Sequence, residues 1–491
     1  MSHHLPVLLV VIPLVAAPFA ALVNRPRVSW AIALGAAWWA FYAAFRLLAQ
    51  VMSDGTIHYE LGGWVAPYGI EYVVDPANAW VLLIVALIGA VVIPYARASV
   101  AHEVSEDRIP LFYAAFILCM TGLLGIAVTG DVFNVFVFLE ISSLSAYALI
   151  ALGPDRRALT ASYQYLIMGS VGATFIVIGI GLMYVMTGTL NMADLAEILP
   201  QLEANRTIPV AFTFLTVGIT LKLALFPLHM WLPNAYTYAP SAVTAFIAST
   251  ATKVAVYLLL RFFFTVFGAE FSFDVMQLDR ILMPLALLAI LTMSLVAIYQ
   301  EDVKRLLAYS SVAQIGYMVL GISFASALGL TAGILHLFNH ALMKGALFMA
   351  MGCVMYRVGS VQIDRMNGLG RAMPWTMAAF VGGGLSIIGV PLTVGFISKW
   401  YLIQAALEQG MWPVAAVVLA GSLLAVIYIW KVVEVAYFRD VDPEAGISEA
   451  PLSLLIPTWT LVIANFWFGI NASATSGVAQ RAAELLLGLA S

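Results

Sequence analysis

The feature that most limits what this chain can fold into is a repetition of apolar runs about 20 residues long. That is the length a helix needs to cross a hydrocarbon core about 30 Å thick. Runs of this kind fall near residues 5–23, 28–50, 76–96, 110–129, 131–152, 158–187 and 208–228, then near 240–267, 281–299, 307–324, 327–355, 375–409, 412–437 and 452–470. A backbone in lipid satisfies its polar groups only inside helices or closed barrels. The runs therefore predict an all-α membrane protein of about fourteen transmembrane helices. Composition agrees: 63% of residues are hydrophobic and 10% charged, against about 25% charged in a soluble domain. No basic stripe for nucleic acid is present. The two cysteines, Cys119 and Cys353, lie in apolar runs and read as packing residues. The first run reads as an uncleaved span, because no Lys or Arg precedes it and Pro6, Pro13 and Pro18 interrupt it.

Loop charge orients the bundle. Arg25, Arg97, Arg156, Lys304, Arg357 and Arg439 fall in one alternating set of loops, while Asp54, Glu71, Asp194 and Glu270 fall in the other. The positive set should face the cytoplasm, which puts both termini outside and requires an even number of spans.

Two spans look broken. One reads KLALFPLHMWLPN from Lys222, with Pro227 and Pro233; the other reads IIGVPLTVGFISKW up to Trp400, with Gly389, Pro391 and Gly395. Proline removes a backbone donor and glycine relaxes the chain, so both should unwind within the membrane. At the second break, the carbonyls left unpaired should need water. Paired interrupted helices point to inverted repeats around an ion path. The match between the halves is imperfect, since Lys222 precedes its break and Lys399 follows its own.

The chain has six lysines, and only Lys304 lies in a clear loop; the arginines sit mostly in loops. Arginine does not release its proton in a protein, whereas a buried lysine does so readily. Buried Lys222, Lys253, Lys344 and Lys399 therefore point to proton loading and unloading. Glu140 and Lys222 are candidates for a buried ion pair, functional or merely structural. His336, His340 and Lys344 recur every four residues and share one helix face beside Asn339. Two histidines at that spacing could also hold zinc, but no carboxylate or cysteine is near in sequence, so neither a metal nor a cofactor is expected. His229, at the first break, could gate or cap freed carbonyls, with Pro227 and Pro391 as further gating candidates. Lys431 and Glu434 read as a local snorkelling pair and Arg261 as a snorkelling helix-end residue. Asp75, Asp131 and the cluster Glu301, Asp302, Lys304 and Arg305 read as structural.

Several stretches carry a resemblance: GDVFNVFVFLE, LKLALFPLHMWLPNAYTYAPSAVTAFIASTATKVAVYLLLRF, EDVKRLLAYSSVAQIGYM, HLFNHALMKGALF and GVPLTVGFISKWYLIQ. In this order they resemble the antiporter-like subunits shared by respiratory complex I and Mrp-type cation/proton antiporters, over roughly residues 110–435. The resemblance implies two inverted five-helix repeats, each with a broken helix. The expected division is 1–109 for N-terminal helices, 110–267 and 281–437 for the repeats, and 438–491 for a last helix and short tail. It implies Glu140 and Lys222 as the ion pair of the first repeat and Lys253 as the link. His336, His340 and Lys344 belong to the second repeat, with Lys399 as the terminal site. Among these subunits the chain is most similar to the D type of Mrp. It is expected to lack the long C-terminal extension of the largest types, has Lys399 where the M type of complex I usually has a glutamate, and has the histidine-rich HLFNHALMK face that the N type usually lacks.

The expected function is proton translocation within a multisubunit Na⁺/proton antiporter of a bacterial cell membrane, in the company of other membrane subunits and lipid. The alternative is a proton-pumping subunit of a redox complex, either complex I or a membrane-bound hydrogenase. On either reading the chain is a translocating subunit and not itself a redox enzyme.

Overall fold

A computed structural model of the chain describes residues 2–202, 205–440 and 446–489. The helices run α1 Leu5–Leu22, α2 Pro26–Asp54, α3 Pro76–Glu103, α4 Ile109–Val128, α5 Val132–Ala151, α6 Arg157–Thr187 and the short α7 Met192–Ile198. Next come α8 Thr207–Leu223, α9 Trp231–Tyr238, α10 Ser241–Leu260, α11 Asp279–Ile298, α12 Val303–Ser323, α13 Ala327–Val358 and the one-turn α14 Leu369–Ala372. The last are α15 Pro374–Ile388, α16 Val394–Glu408, α17 Trp412–Phe438, α18 Leu452–Ile470 and α19 Ser473–Leu486. Twelve helices among the described residues are long and apolar enough to cross a membrane. The interrupted pairs α8/α9 and α15/α16 supply the two remaining spans of the fourteen expected.

Two elements depart from the sequence reading. Between α2 and α3 lies a small antiparallel hairpin, β1 Ile57–Glu60 and β2 Glu71–Val74. Its four-residue strands are too short to register against the long apolar runs. The expected short tail is the helix α19, which buries Thr475, Val478, Ala479, Ala482, Ala483 and Leu486. That one-sided pattern marks a helix lying on the protein, not one crossing lipid. It packs on α3 and α13.

Polar caps fix where spans begin. Asp75 accepts from Ala77 N and Asn78 N at the start of α3, Asp131 from Asn134 N at α5, and Asp302 from Arg305 N at α12. Each satisfies donors that the first helical turn leaves unpaired. Asp131 also forms a backbone bridge with Asn191, and Asp302 forms one with Gln362, across the same separation along the chain. Each bridge ties the start of one helix to the end of the next, so α5–α6 and α12–α13 are closed at their ends in the same way.

Small residues draw helices together where lipid offers no hydrophobic drive. A Cβ on Gly218 of α8 would lie 2.7 Å from Gly172 O of α6. The pairs differ in depth: α10 and α12 are enclosed over nearly their whole length, while α6 and α17 keep one side outward.

Candidate proton-translocation site

In the first half, Glu140 stands half-buried on α5, and its Oε1 is shielded with no hydrogen-bond partner. Lys222, buried as the penultimate residue of α8, donates to Ser143 Oγ at 2.8 Å and Tyr147 OH at 3.4 Å. The expected direct Glu140–Lys222 ion pair is not formed. Ser143 and Tyr147, on the same face of α5 one and two turns beyond Glu140, take the ammonium instead. Glu140 remains a neighbour of Lys222 without bonding to it. Gly169 of α6 makes room: a Cβ there would lie 1.9 Å from Tyr147 OH and 3.4 Å from Lys222 Nζ.

The first break begins at Ala224, whose φ of 59° ends α8. Two carbonyls at this break are met without Lys222. Thr220 O accepts from Leu225 N at 3.1 Å, and Leu221 O from Trp231 Nε1 at 3.0 Å. Pro227 and His229 lie in the turn before α9. His229 is buried, its Nδ1 has no partner, and its ring lies beside Phe226 and Tyr309.

The centre is built from α10, α12 and α13. Lys253 is wholly buried and donates to Ala248 O and, at 3.4 Å, to Thr252 Oγ1. Lys344 donates to Leu307 O at 2.8 Å and Ser310 Oγ at 2.6 Å. His336 is held on both sides, Nδ1 at 2.8 Å from Ser398 Oγ and Nε2 at 3.0 Å from Gln314 Oε1. One turn along α13, His340 has no partner among the described residues on either ring nitrogen, and its centroid is 6.0 Å from that of His336. Its titratable neighbours are Lys253, Lys344 and His336.

The second break is a true interruption and not a kink. Gly389 has φ 90° and Leu392 φ 74°, and helix resumes only at Val394. Here the lysine follows the break and turns back into it. Lys399 donates to Ile387 O at 2.8 Å, Ile388 O at 3.1 Å and Ser422 Oγ of α17 at 2.9 Å, with its Nζ 4.9 Å from the Tyr317 ring centroid. Water was expected to serve these carbonyls; Lys399 itself serves two of them. A cation at the carbonyl end of a half-helix also meets the negative pole of its dipole. Pro391 lies in the unwound stretch, and Gly395 is obligatory, because a Cβ there would fall 1.8 Å from Ser386 O.

Three expectations about the remaining charges are corrected. Lys304 is not a loop residue: it is the second residue of α12, buried, and donates to Ala239 O at 3.3 Å. Arg261 does not snorkel: it is buried at the end of α10, 2.7 Å from Asp75 Oδ2, and donates to Tyr257 OH at 3.0 Å. Lys431 does not pair with Glu434 but caps α11 through Ile298 O and Gln300 O, at 3.1 and 2.9 Å. In each case a partner distant in sequence is nearer than any local one. The sequence reading also missed Ser143, Tyr147, Gln314, Ser398, Ser310 and Ser422. A lone glutamine in the apolar α12 was a usable signal; hydroxyls in spans are too common to be one.

Broken helices on either side of a buried line of lysines and histidines define a class, the polytopic membrane subunit built to carry ions. Residues 129–425 match the family described as NADH:quinone oxidoreductase/Mrp antiporter, transmembrane. The chain belongs to that family. It is 41% identical to the N-type subunit of NADH-quinone oxidoreductase from Desulforudis audaxviator, over 98% of this chain and 99% of that one. It is 31% identical to the D-type subunit of the Na(+)/H(+) antiporter from Alkalihalophilus pseudofirmus, over 90% and 88%. A chain in the structure of the Mrp complex from Dietzia sp. superposes with a TM-score of 0.90 at 25% identity, covering 99% and 97%.

Proposed function

We propose that this chain is the proton-translocating subunit of a multisubunit monovalent cation/proton antiporter, with Na⁺ as the cation and the bacterial cell membrane as its site, both termini outside. Protons pass between Glu140 with Lys222, Lys253, Lys344 with His340, His336 and Lys399. The observation that carries the reading is His340, buried and unpartnered among lysines whose ammonium groups are held by carbonyls and hydroxyls. Neutral acceptors solvate a charged lysine without fixing its proton there, as a carboxylate would. The two halves act as inverted repeats over 110–267 and 281–437, between 1–109 and 438–491. The matching end bridges at Asp131 and Asp302 support that division. His229, Pro227 and Pro391 are the candidate gates.

The test is exchange by the native assembly in vesicles. An imposed proton gradient should drive Na⁺ movement, and Glu140→Ala should abolish it while assembly persists. Near-normal exchange by that variant, at normal expression, would remove Glu140 from the path.

A second reading, a proton-pumping subunit of a redox complex, is favoured by the likeness to an N-type subunit of NADH-quinone oxidoreductase. Co-purification separates the two. Small membrane subunits alone support the antiporter; partners carrying iron–sulfur or nickel centres support the redox complex.

A further inference from the structure

At the turn between α1 and α2, a cleft of about 770 Å³ is lined by Arg25, Arg27 and Arg97, with Glu106 its one acidic residue. Arg97 is steadied over the Trp30 ring, 4.8 Å from the centroid, and Trp30 is itself fixed by donating to Ile93 O at 3.0 Å. Among the described residues none of the three arginines has an ion-pair partner. The first turn of α2 opens into the same cleft through Pro26 and Val28, and a helix start favours an anion.

An apolar groove of about 570 Å³ adjoins it, formed by α1 and Ile32 of α2. Val11, Val15, Phe19 and Val23 recur every four residues along its α1 side and are exposed by 39%, 49%, 56% and 37%. Val23 lies two residues from Arg25, and Ile32 one turn from Val28, so groove and cleft meet at the α1–α2 turn. From Val11 to Val23 the helix rises about 18 Å at about 1.5 Å per residue. One leaflet of a hydrocarbon core about 30 Å thick has a depth of about 15 Å.

We propose that cleft and groove together bind one anionic phospholipid, its phosphate among Arg25, Arg27 and Arg97 and an acyl chain along α1. Three cations facing one carboxylate select an anion, and the leaflet-length apolar lane selects an anion that carries a chain. A partner's helix would match the lane but not the arginines unless it brought carboxylates to this one spot.

The experiment uses the full-length chain in its native assembly, delipidated and titrated with phosphatidylglycerol or with phosphatidylcholine of the same chains. Bound lipid is counted by native mass spectrometry and stability read by thermal melting. Phosphatidylglycerol should bind and raise the melting temperature. The double variant Arg27→Gln with Arg97→Gln should bind it at least tenfold more weakly while melting like wild type without lipid. Val15→Trp, which fills the groove, should weaken phosphatidylglycerol without altering the response to glycerol phosphate. Equal binding of phosphatidylcholine, undiminished binding by the double variant, or full stabilisation by glycerol phosphate alone would overturn the proposal. So would cross-linking of Val15→Cys to a neighbouring subunit, since the groove would then be a protein interface.

Discussion

Lys222 and Lys399 each stand beside a broken helix, yet the two halves of the molecule use them differently. Lys222 precedes its break and is held by two hydroxyls near a carboxylate; at that break Leu225 N and Trp231 Nε1 meet the carbonyls of Thr220 and Leu221. Lys399 follows its break and closes the carbonyls of Ile387 and Ile388 with its own ammonium. A hydroxyl rotates and can donate or accept, whereas a carbonyl only accepts. The first lysine can therefore lose its proton at little structural cost. The second is a structural cap as well as a proposed proton site: its neutral amine would keep two N–H groups for the carbonyls of Ile387 and Ile388 and would have to accept from Ser422 Oγ.

The sharpest way to break this comparison is to remove each lysine. Lys399→Ala should abolish exchange and also lower stability, by about 1–3 kcal/mol for each buried carbonyl left unmet. Lys222→Ala should abolish exchange while melting close to wild type. Equal melting temperatures for the two variants would show that the carbonyls at 387 and 388 do not depend on Lys399.

Lys399→Glu is the next test. A carboxylate there faces two carbonyl oxygens that cannot donate to it, so exchange should fall by at least about tenfold, an effect of about 1.4 kcal/mol on the barrier. Activity near wild type in vesicles would mean that the site rearranges around either charge.

Lys253→Arg separates charge from proton release. Arginine retains the charge but does not deprotonate, so exchange should drop nearly as far as in Lys253→Ala. Full activity in the arginine variant would leave Lys253 as a fixed charge only.

The smallest effect is expected at Gly169→Ala, whose Cβ would press on Tyr147 OH beside Lys222. Exchange should slow by about threefold, in line with a strain below about 1 kcal/mol. A change in melting temperature without a change in rate would place Gly169 in packing alone.

The inversion between the halves was legible in the order of lysine and proline along each broken run, but its meaning was not. Sequence places Lys222 before Pro227 and Lys399 after Pro391; only the fold reveals that the second lysine turns back to cap the helix before it. The same division holds for the other charges. The spacing of His336, His340 and Lys344 put them on one face of α13, but it could not tell the fixed ring from the free one. Gln314 and Ser398, which hold His336, come from α12 and α16. Sequence gives Arg261 as an end residue and Asp75 as merely structural, because their pairing joins α10 to the start of α3.

By itself, the sequence determined that this protein lives in a membrane, about how many times it crosses, where two helices break and that Lys222, Lys253, Lys344 and Lys399 are buried. Those properties follow from the solvation of single segments: an apolar run of span length, a proline without a donor, a lysine too far from water. The tertiary structure alone decided which acceptor each ammonium meets, which histidine is left without a partner and which helix end a lysine closes. Hydrogen bonds act over about 3 Å, and the groups they join here are brought together by packing between helices far apart in the chain.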